Sequence, residues 1–124
     1  MRRPVAAALV LASAVTLTAC GSGNSSSADD PSTLPTKVID ITFTGSDVTP
    51  NGTDIDVVVG QAIELDVTAD APGEIHVHSS PEEQEFTYQA AADQVFDLKP
   101  IPAPGQVTVE SHTLDKVLFV LVAR

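Results

Sequence analysis

Apolar and polar positions alternate with period two along most of residues 37–124, the pattern of strands that bury one face. Within residues 38–44, VIDITFT, the side chains of Ile39, Ile41 and Phe43 share a face. Ile55, Val57 and Val59 repeat the pattern, as do Ile63, Leu65 and Val67, then Ile75 and Val77. Phe86 and Tyr88, then Val95, Phe96 and Leu98, then Val107 and Val109 continue it. Residues 117–122 are apolar throughout, which suits a central, well-covered strand. Turn signals separate these runs: Pro50-Asn51-Gly52, Gly60-Gln61, Asp70-Ala71-Pro72-Gly73 and Pro104-Gly105. Gly73 is expected to supply the positive φ of a type II turn. About eight short strands with this punctuation predict an all-β fold, a single antiparallel β-sandwich. A helix fits only at residues 90–94, too short to organise the fold. Residues 71–78, APGEIHVH, echo residues 103–110, APGQVTVE, a repeated turn-and-strand grammar that sets His76 against Thr108 and His78 against Glu110.

The first twenty residues follow a different rule. Arg2 and Arg3 precede an apolar run from Val5 to Val15, and small residues lead to Cys20. That is the layout of a secretory signal, and the run is shorter than the roughly 20 residues needed to span a bilayer. Residues 21–30, GSGNSSSADD, hold no large apolar side chain and are expected to be a flexible tether, stiffened at its end by Pro31 and Pro35. The predicted organisation is a signal peptide over 1–19, Cys20 and a tether over 20–36, and a folded domain over 37–124. The chain has one cysteine, so no intramolecular disulfide is available to the exported form.

Leu17-Thr18-Ala19-Cys20 resembles the lipobox of bacterial lipoproteins. The resemblance implies cleavage before Cys20, lipid on its thiol, and a protein anchored at the outer face of the cell membrane. Each acyl methylene contributes about 0.8 kcal/mol on burial, so several chains hold firmly. The competing reading is a secreted protein cleaved after an A-x-A-like site, with Cys20 incidental.

Charge narrows the choice of partners. From Cys20 onward the chain keeps 17 acidic residues and four basic ones, Lys37, Lys99, Lys116 and Arg124, so its net charge is 4 − 17 = −13 with His neutral. Nucleic acid and anionic headgroups are poor partners for such a surface.

Residues 57–124 resemble a cupredoxin-like domain, on the landmarks VVVGQAIELDVTADAPGEIHVH and PAPGQVTVESHTLDKVLFVLVAR. HVHSSPEEQEF and VESHTLDKV also look like uncharacterised bacterial lipoproteins carrying a degenerate form of that domain. The resemblance implies a Greek-key sandwich with a first copper histidine near His76 or His78. It further implies a strand over residues 107–110 that would carry a cysteine ligand, and His112 in a shortened loop after it. The departures are plain: no cysteine stands near Val109 or Glu110, and Met1 is the only methionine. A blue-copper centre needs a thiolate, so electron transfer by that route is not expected.

All three histidines nevertheless fall in these two segments. His76 and His78 are two apart on a predicted strand, hence on one face, with Cα atoms roughly 6.6 Å apart. Two imidazoles at that spacing, with His112 as a third and Glu110 as an oxygen donor, suit copper(II) or zinc. The plainer reading leaves His76 and His78 facing water and paired with Glu74, Glu82, Glu83 or Glu85. A third reading makes the cluster a contact that responds near pH 6.

Catalytic patterns are lacking. Ser79 and Ser80 have no nucleophile elbow around them, and His112 with Asp115 has no activated serine or cysteine to complete a triad. Glu82 and Glu83 point to opposite faces of a strand, and glycan-binding aromatics are limited to Tyr88. No enzyme is expected. Two functions stand: a membrane-anchored lipoprotein binding copper or zinc, and a non-catalytic domain that engages another envelope protein.

Overall fold

The computed structural model describes residues 33–124; the expected signal peptide, Cys20 and most of the tether lie outside them. Nine strands form: β1 (Lys37–Thr44), β2 (Asp47–Thr49), β3 (Thr53–Val57), β4 (Ile63–Ala69), β5 (Gly73–Val77), β6 (Gln84–Tyr88), β7 (Gln94–Leu98), β8 (Gly105–Ser111) and β9 (Lys116–Ala123). They build a four-stranded sheet, β2-β1-β4-β7, and a five-stranded sheet, β3-β9-β8-β5-β6. Their apolar faces meet in one core that includes Ile41, Leu65, Val67, Ile75, Val77, Val109, Phe119 and Leu121.

The alternation places each inner face as the pattern requires. β1 buries Ile39, Ile41 and Phe43, and β4 buries Ile63, Leu65, Val67 and Ala69. The strand beyond the expected eight is β2, whose Val48 alone reaches the core; three residues are too few to show a period. No helix occupies residues 90–94, where Asp93 takes a positive φ immediately before β7.

The sheets are not wholly antiparallel. β1 pairs parallel with β4, and β3 pairs parallel with β9. Alternation reports which face is buried and is silent on strand direction, so only the crossovers reveal these pairs. The echoed strands β5 and β8 are antiparallel neighbours, with His76 opposite Glu110.

The apolar run of β9 hides an irregularity, and the strand is covered on its inner face only: Val117, Val120 and Val122 face outward, with Val117 exposed. Val109 pairs with Phe119 and Glu110 with Val117, so Leu118 is an extra residue in a β-bulge. The bulge turns both Leu118 and Phe119 inward, where both are fully buried. The Gly52 N–H donates to the carbonyls of Val117 and Leu118, at 3.1 and 2.9 Å, just before β3 begins to pair with the other edge of β9.

Gly73 differs from its expected role. It is absent from the glycines with positive φ and instead begins β5. A Cβ built on it would lie 2.3 Å from the Tyr88 hydroxyl, 2.6 Å from the ring carbon bearing it, and 3.0 Å from Thr113 Oγ1. Close approach of a neighbouring ring, rather than backbone handedness, demands glycine here.

Candidate functional site: a histidine–carboxylate cluster on the outer sheet face

Ile75 and Val77 point inward on β5 and are fully buried. Alternation therefore turns Glu74 and His76 to the outer face of the five-stranded sheet, and His78 follows at the strand's end. On β8, Val107, Val109 and Ser111 point inward, so Thr108 and Glu110 face out, and His112 follows on the same side. β5 lies between β6 and β8, which sets Glu85 and Glu110 on either side of His76. Side-chain exposure rises from 17% at His76 to 27% at Glu110, 37% at His78 and 52% at His112.

The histidines partner differently. Nε2 of His78 and Nε2 of His112 both contact the same oxygen, Oε1 of Glu110, each at 2.7 Å. Those two bonds, that from His78 first, hold the Glu110 carboxyl below its ordinary range. A carboxylate only accepts, so each Nε2 carries a proton and donates. His78 Nδ1 meets a second carboxylate, Glu83 Oε1, at 3.2 Å. Hydrogen bonds to Glu110 and then Glu83 accordingly raise the His78 pKa.

His76 Nε2 bonds to Oε1 of Glu74 and lies 3.9 Å from Glu85 Oε2. The hydrogen bond from His76 is the main reason the Glu74 carboxyl titrates below its ordinary value. Glu85 is raised, chiefly by its hydrogen bond with Glu74 and then by the repulsion between them. The His76 ring stacks on His112, with centroids 3.8 Å apart and planes 12° from parallel, while His78 and His112 are tilted at 6.3 Å.

Two sets of donor atoms are thus close enough to grip a cation: Glu74, His76 and His112, and His78, Glu110 and His112, with the atoms of each set within 4.8 Å of one another. His76 and His78 share a face as the H-x-H spacing requires, but neither set contains both. Each joins His112 separately. Glu82, expected among the acids around the histidines, pairs instead with Lys99 at 2.7 Å. Ser79 Oγ donates to the Glu82 carbonyl at 2.5 Å and accepts from Gln84 Nε2 at 3.2 Å. Nε2 of each of the three histidines, and Nδ1 of His78, pair with carboxylates.

Sequence reasoning missed a second polar group, inside the sandwich. The inward residue at the end of β8 is Ser111, the buried polar residue of the core. Its hydroxyl accepts the N–H of Leu114 at 3.3 Å and faces that of Tyr88. Tyr88 is 2% exposed and stacks on Phe43, centroids 4.6 Å apart; burial raises its pKa. The period of β8 already pointed Ser111 inward, and that was the available signal. Among the described residues this interior offers hydroxyl oxygens and no thiolate, and the Tyr88 hydroxyl fills the position a Cβ on Gly73 would take. The residues do not fit a blue-copper ion, and His76 and His112 lie on the opposite side of the same backbones.

No protein-family model and no curated protein sequence matches the chain. Solved structures do match in shape. A purple cupredoxin from Nitrosopumilus maritimus superposes with a TM-score of 0.51 at 16% identity, over 71% of this chain and 99% of that one. A mutant of amicyanin in its Cu(I) form gives 0.52 at 13% identity, over 76% and 89%. Dithionite-reduced auracyanin from Roseiflexus castenholzii gives 0.53 at 10% identity, over 71% and 97%. At such identities the likeness is one of fold, and the fold of residues 33–124 is a cupredoxin-like β-sandwich.

Proposed function

We propose that the protein is an exported lipoprotein, held at the outer face of the cell membrane by acyl chains on Cys20, whose cupredoxin-like domain binds copper or zinc on its outer sheet face. The observation that carries the metal reading is the convergence of two imidazole Nε2 atoms on one Glu110 oxygen at 2.7 Å each. Donors aimed at one point hold a proton-bridged carboxylate when metal is absent. They hold a cation at about 2.0–2.1 Å once the Nε2 protons leave and the carboxylate turns. Imidazole and carboxylate donors select divalent copper or zinc over softer ions. Amicyanin, a neighbour in fold, has been solved with Cu(I); the binding proposed here uses imidazole and carboxylate donors and no thiolate, so it is not that of a blue-copper carrier.

The test is calorimetric titration of the chain freed of residues 1–19 and carrying Cys20→Ser, so that no thiol or lipid intervenes. Submicromolar copper(II) or zinc binding, lost when His78 and His112 are both alanine, is the expected result. Equal binding by that double variant overturns the metal reading. The anchor is tested separately by fatty-acid labelling: a Cys20→Ser protein that stays wholly membrane-bound overturns it.

One observation favours the interaction reading as well. The outer face of the four-stranded sheet sets Asp40 opposite Asp66 and Glu64 opposite Asp97, with Val38 and Val95 exposed among them. An envelope partner for this face would be basic with an apolar centre. Unchanged partner recovery by crosslinking after Val95→Arg removes that reading.

A further inference from the structure

The two donor sets share His112, and the shapes of the rings forbid using it twice at once. An ion bound by an imidazole lies in the plane of that ring. His76 and His112 are stacked 3.8 Å apart and within 12° of parallel, so their planes have no common point where an ion could sit. To share an ion with His76, the His112 ring has to leave the stack. It is free to do so: His112 follows the end of β8 and its side chain is 52% exposed. His76 is not free, being 17% exposed on β5 between two neighbouring strands. In its present orientation His112 serves the other set, with Nε2 on Glu110 beside Nε2 of His78.

Both seats attract cations. At the first, Glu74 and Glu85 both set carboxylate oxygens beside His76 Nε2, Glu85 Oε2 at 3.9 Å. At the second, Glu110 and Glu83 flank His78. Each seat supplies two imidazoles and a carboxylate if it holds His112, and one imidazole fewer if it does not.

We propose that the domain has two alternative seats for one divalent copper or zinc ion, Glu74–His76 and His78–Glu110, joined by His112 as a ligand that swings between them. The proposal rests on the metal reading above. The ion changes seat without leaving the surface, and tight binding is limited to one ion per chain.

The experiment is titration of the same Cys20→Ser chain with copper(II), followed by calorimetry and electron paramagnetic resonance, in His76→Ala, His78→Ala, the double variant, and His112→Ala. With two comparable seats, losing one raises Kd only about twofold, because half the bound states survive. His76→Ala and His78→Ala are each expected to bind one ion within about tenfold of the parent. Losing a group in the outer sphere of a metal costs about 10–100-fold, so removing the shared ligand, or both unshared histidines, is expected to cost at least about 100-fold. The parent spectrum should be a sum of two copper signals, one surviving in each single variant. Three results overturn the swing. His76→Ala with unchanged affinity and spectrum means a single seat at His78. His76→Ala and His78→Ala each as damaging as His112→Ala mean one three-imidazole site. Two ions of equal affinity mean independent seats. A parent that binds no copper overturns the metal reading itself, a distinct result.

Discussion

Adding a single methyl group at Gly73 tests the packing behind the site. In Gly73→Ala the new Cβ would lie 2.3 Å from the Tyr88 hydroxyl and 2.6 Å from the adjoining ring carbon, where ordinary contacts begin near 3.4 Å. The backbone gains slightly, since Gly73 avoids positive φ and alanine there stabilises by about 0.4–1 kcal/mol through the unfolded chain. The ring cannot yield cheaply, because it is buried and stacked on Phe43. Overpacking of this kind costs about 1–3 kcal/mol and more where the obstacle is rigid. We therefore expect Gly73→Ala to lose about 3 kcal/mol by urea unfolding, which for a domain of this size lowers Tm by roughly 12–24 °C. Tyr88→Phe alone removes a buried hydroxyl that faces Ser111 and should cost about 0.5–1.5 kcal/mol. In the double variant the hydroxyl clash is gone and the ring-carbon clash remains, so the two losses should be sub-additive by about 1 kcal/mol or more. A Gly73→Ala protein within about 1 kcal/mol of the parent, or strict additivity with Tyr88→Phe, refutes the assignment of Gly73 to close approach.

Three further outcomes are expected. Glu110→Gln should lower the His78 pKa toward its ordinary 6.5, read by NMR titration of the ring, because the bond to Glu110 is the largest cause of its elevation; no movement refutes the pairing. The sign follows for stability. A raised His78 contributes below 6.5 and loses this as pH rises through its folded pKa, and a lowered Glu110 contributes above 4.5 and loses this as pH falls through its own. The parent should thus exceed Glu110→Gln in stability most clearly between pH 4.5 and 6.5. Leu121→Ala empties a fully buried position at the centre of β9 and should cost about 2–5 kcal/mol in denaturant unfolding, with a smaller loss showing that the core collapses around it. Glu82→Gln breaks only an exposed pair with Lys99 and should change stability by no more than about 1 kcal/mol and leave metal titrations untouched; a larger effect would return Glu82 to the cluster.

The faces of the strands were legible because burial imposes a period of two, and residues such as Ile41, Leu65 and Val109 obey it. The same period turns His76 outward, and carried to the end of β8 it turns Ser111 inward, a signal the sequence reading passed over. Direction was not legible: nothing local in residues 53–57 states that they run parallel to β9. The Leu118 bulge was likewise hidden inside a run that reads as uniformly apolar. For the site, adjacency in sequence suggested pairing His76 with His78. The structure divides them because Glu110, from a strand 32 residues further on, reaches His78 and His112 but not His76. Gly73 was misread because a turn signal and a close contact both select glycine.

Glu110, Ser111 and His112 alternate outward, inward and outward along one backbone. The packing that buries Ser111 is therefore the anvil behind two of the surface donors. Their aim is inherited from the interior, whose packing has already met the entropy of holding them. Evolution could retune the outer donors one at a time at little risk to the fold. The reverse does not hold: any change at Tyr88 or Gly73 is transmitted to the surface, so the silent side of this strand is the one least free to drift.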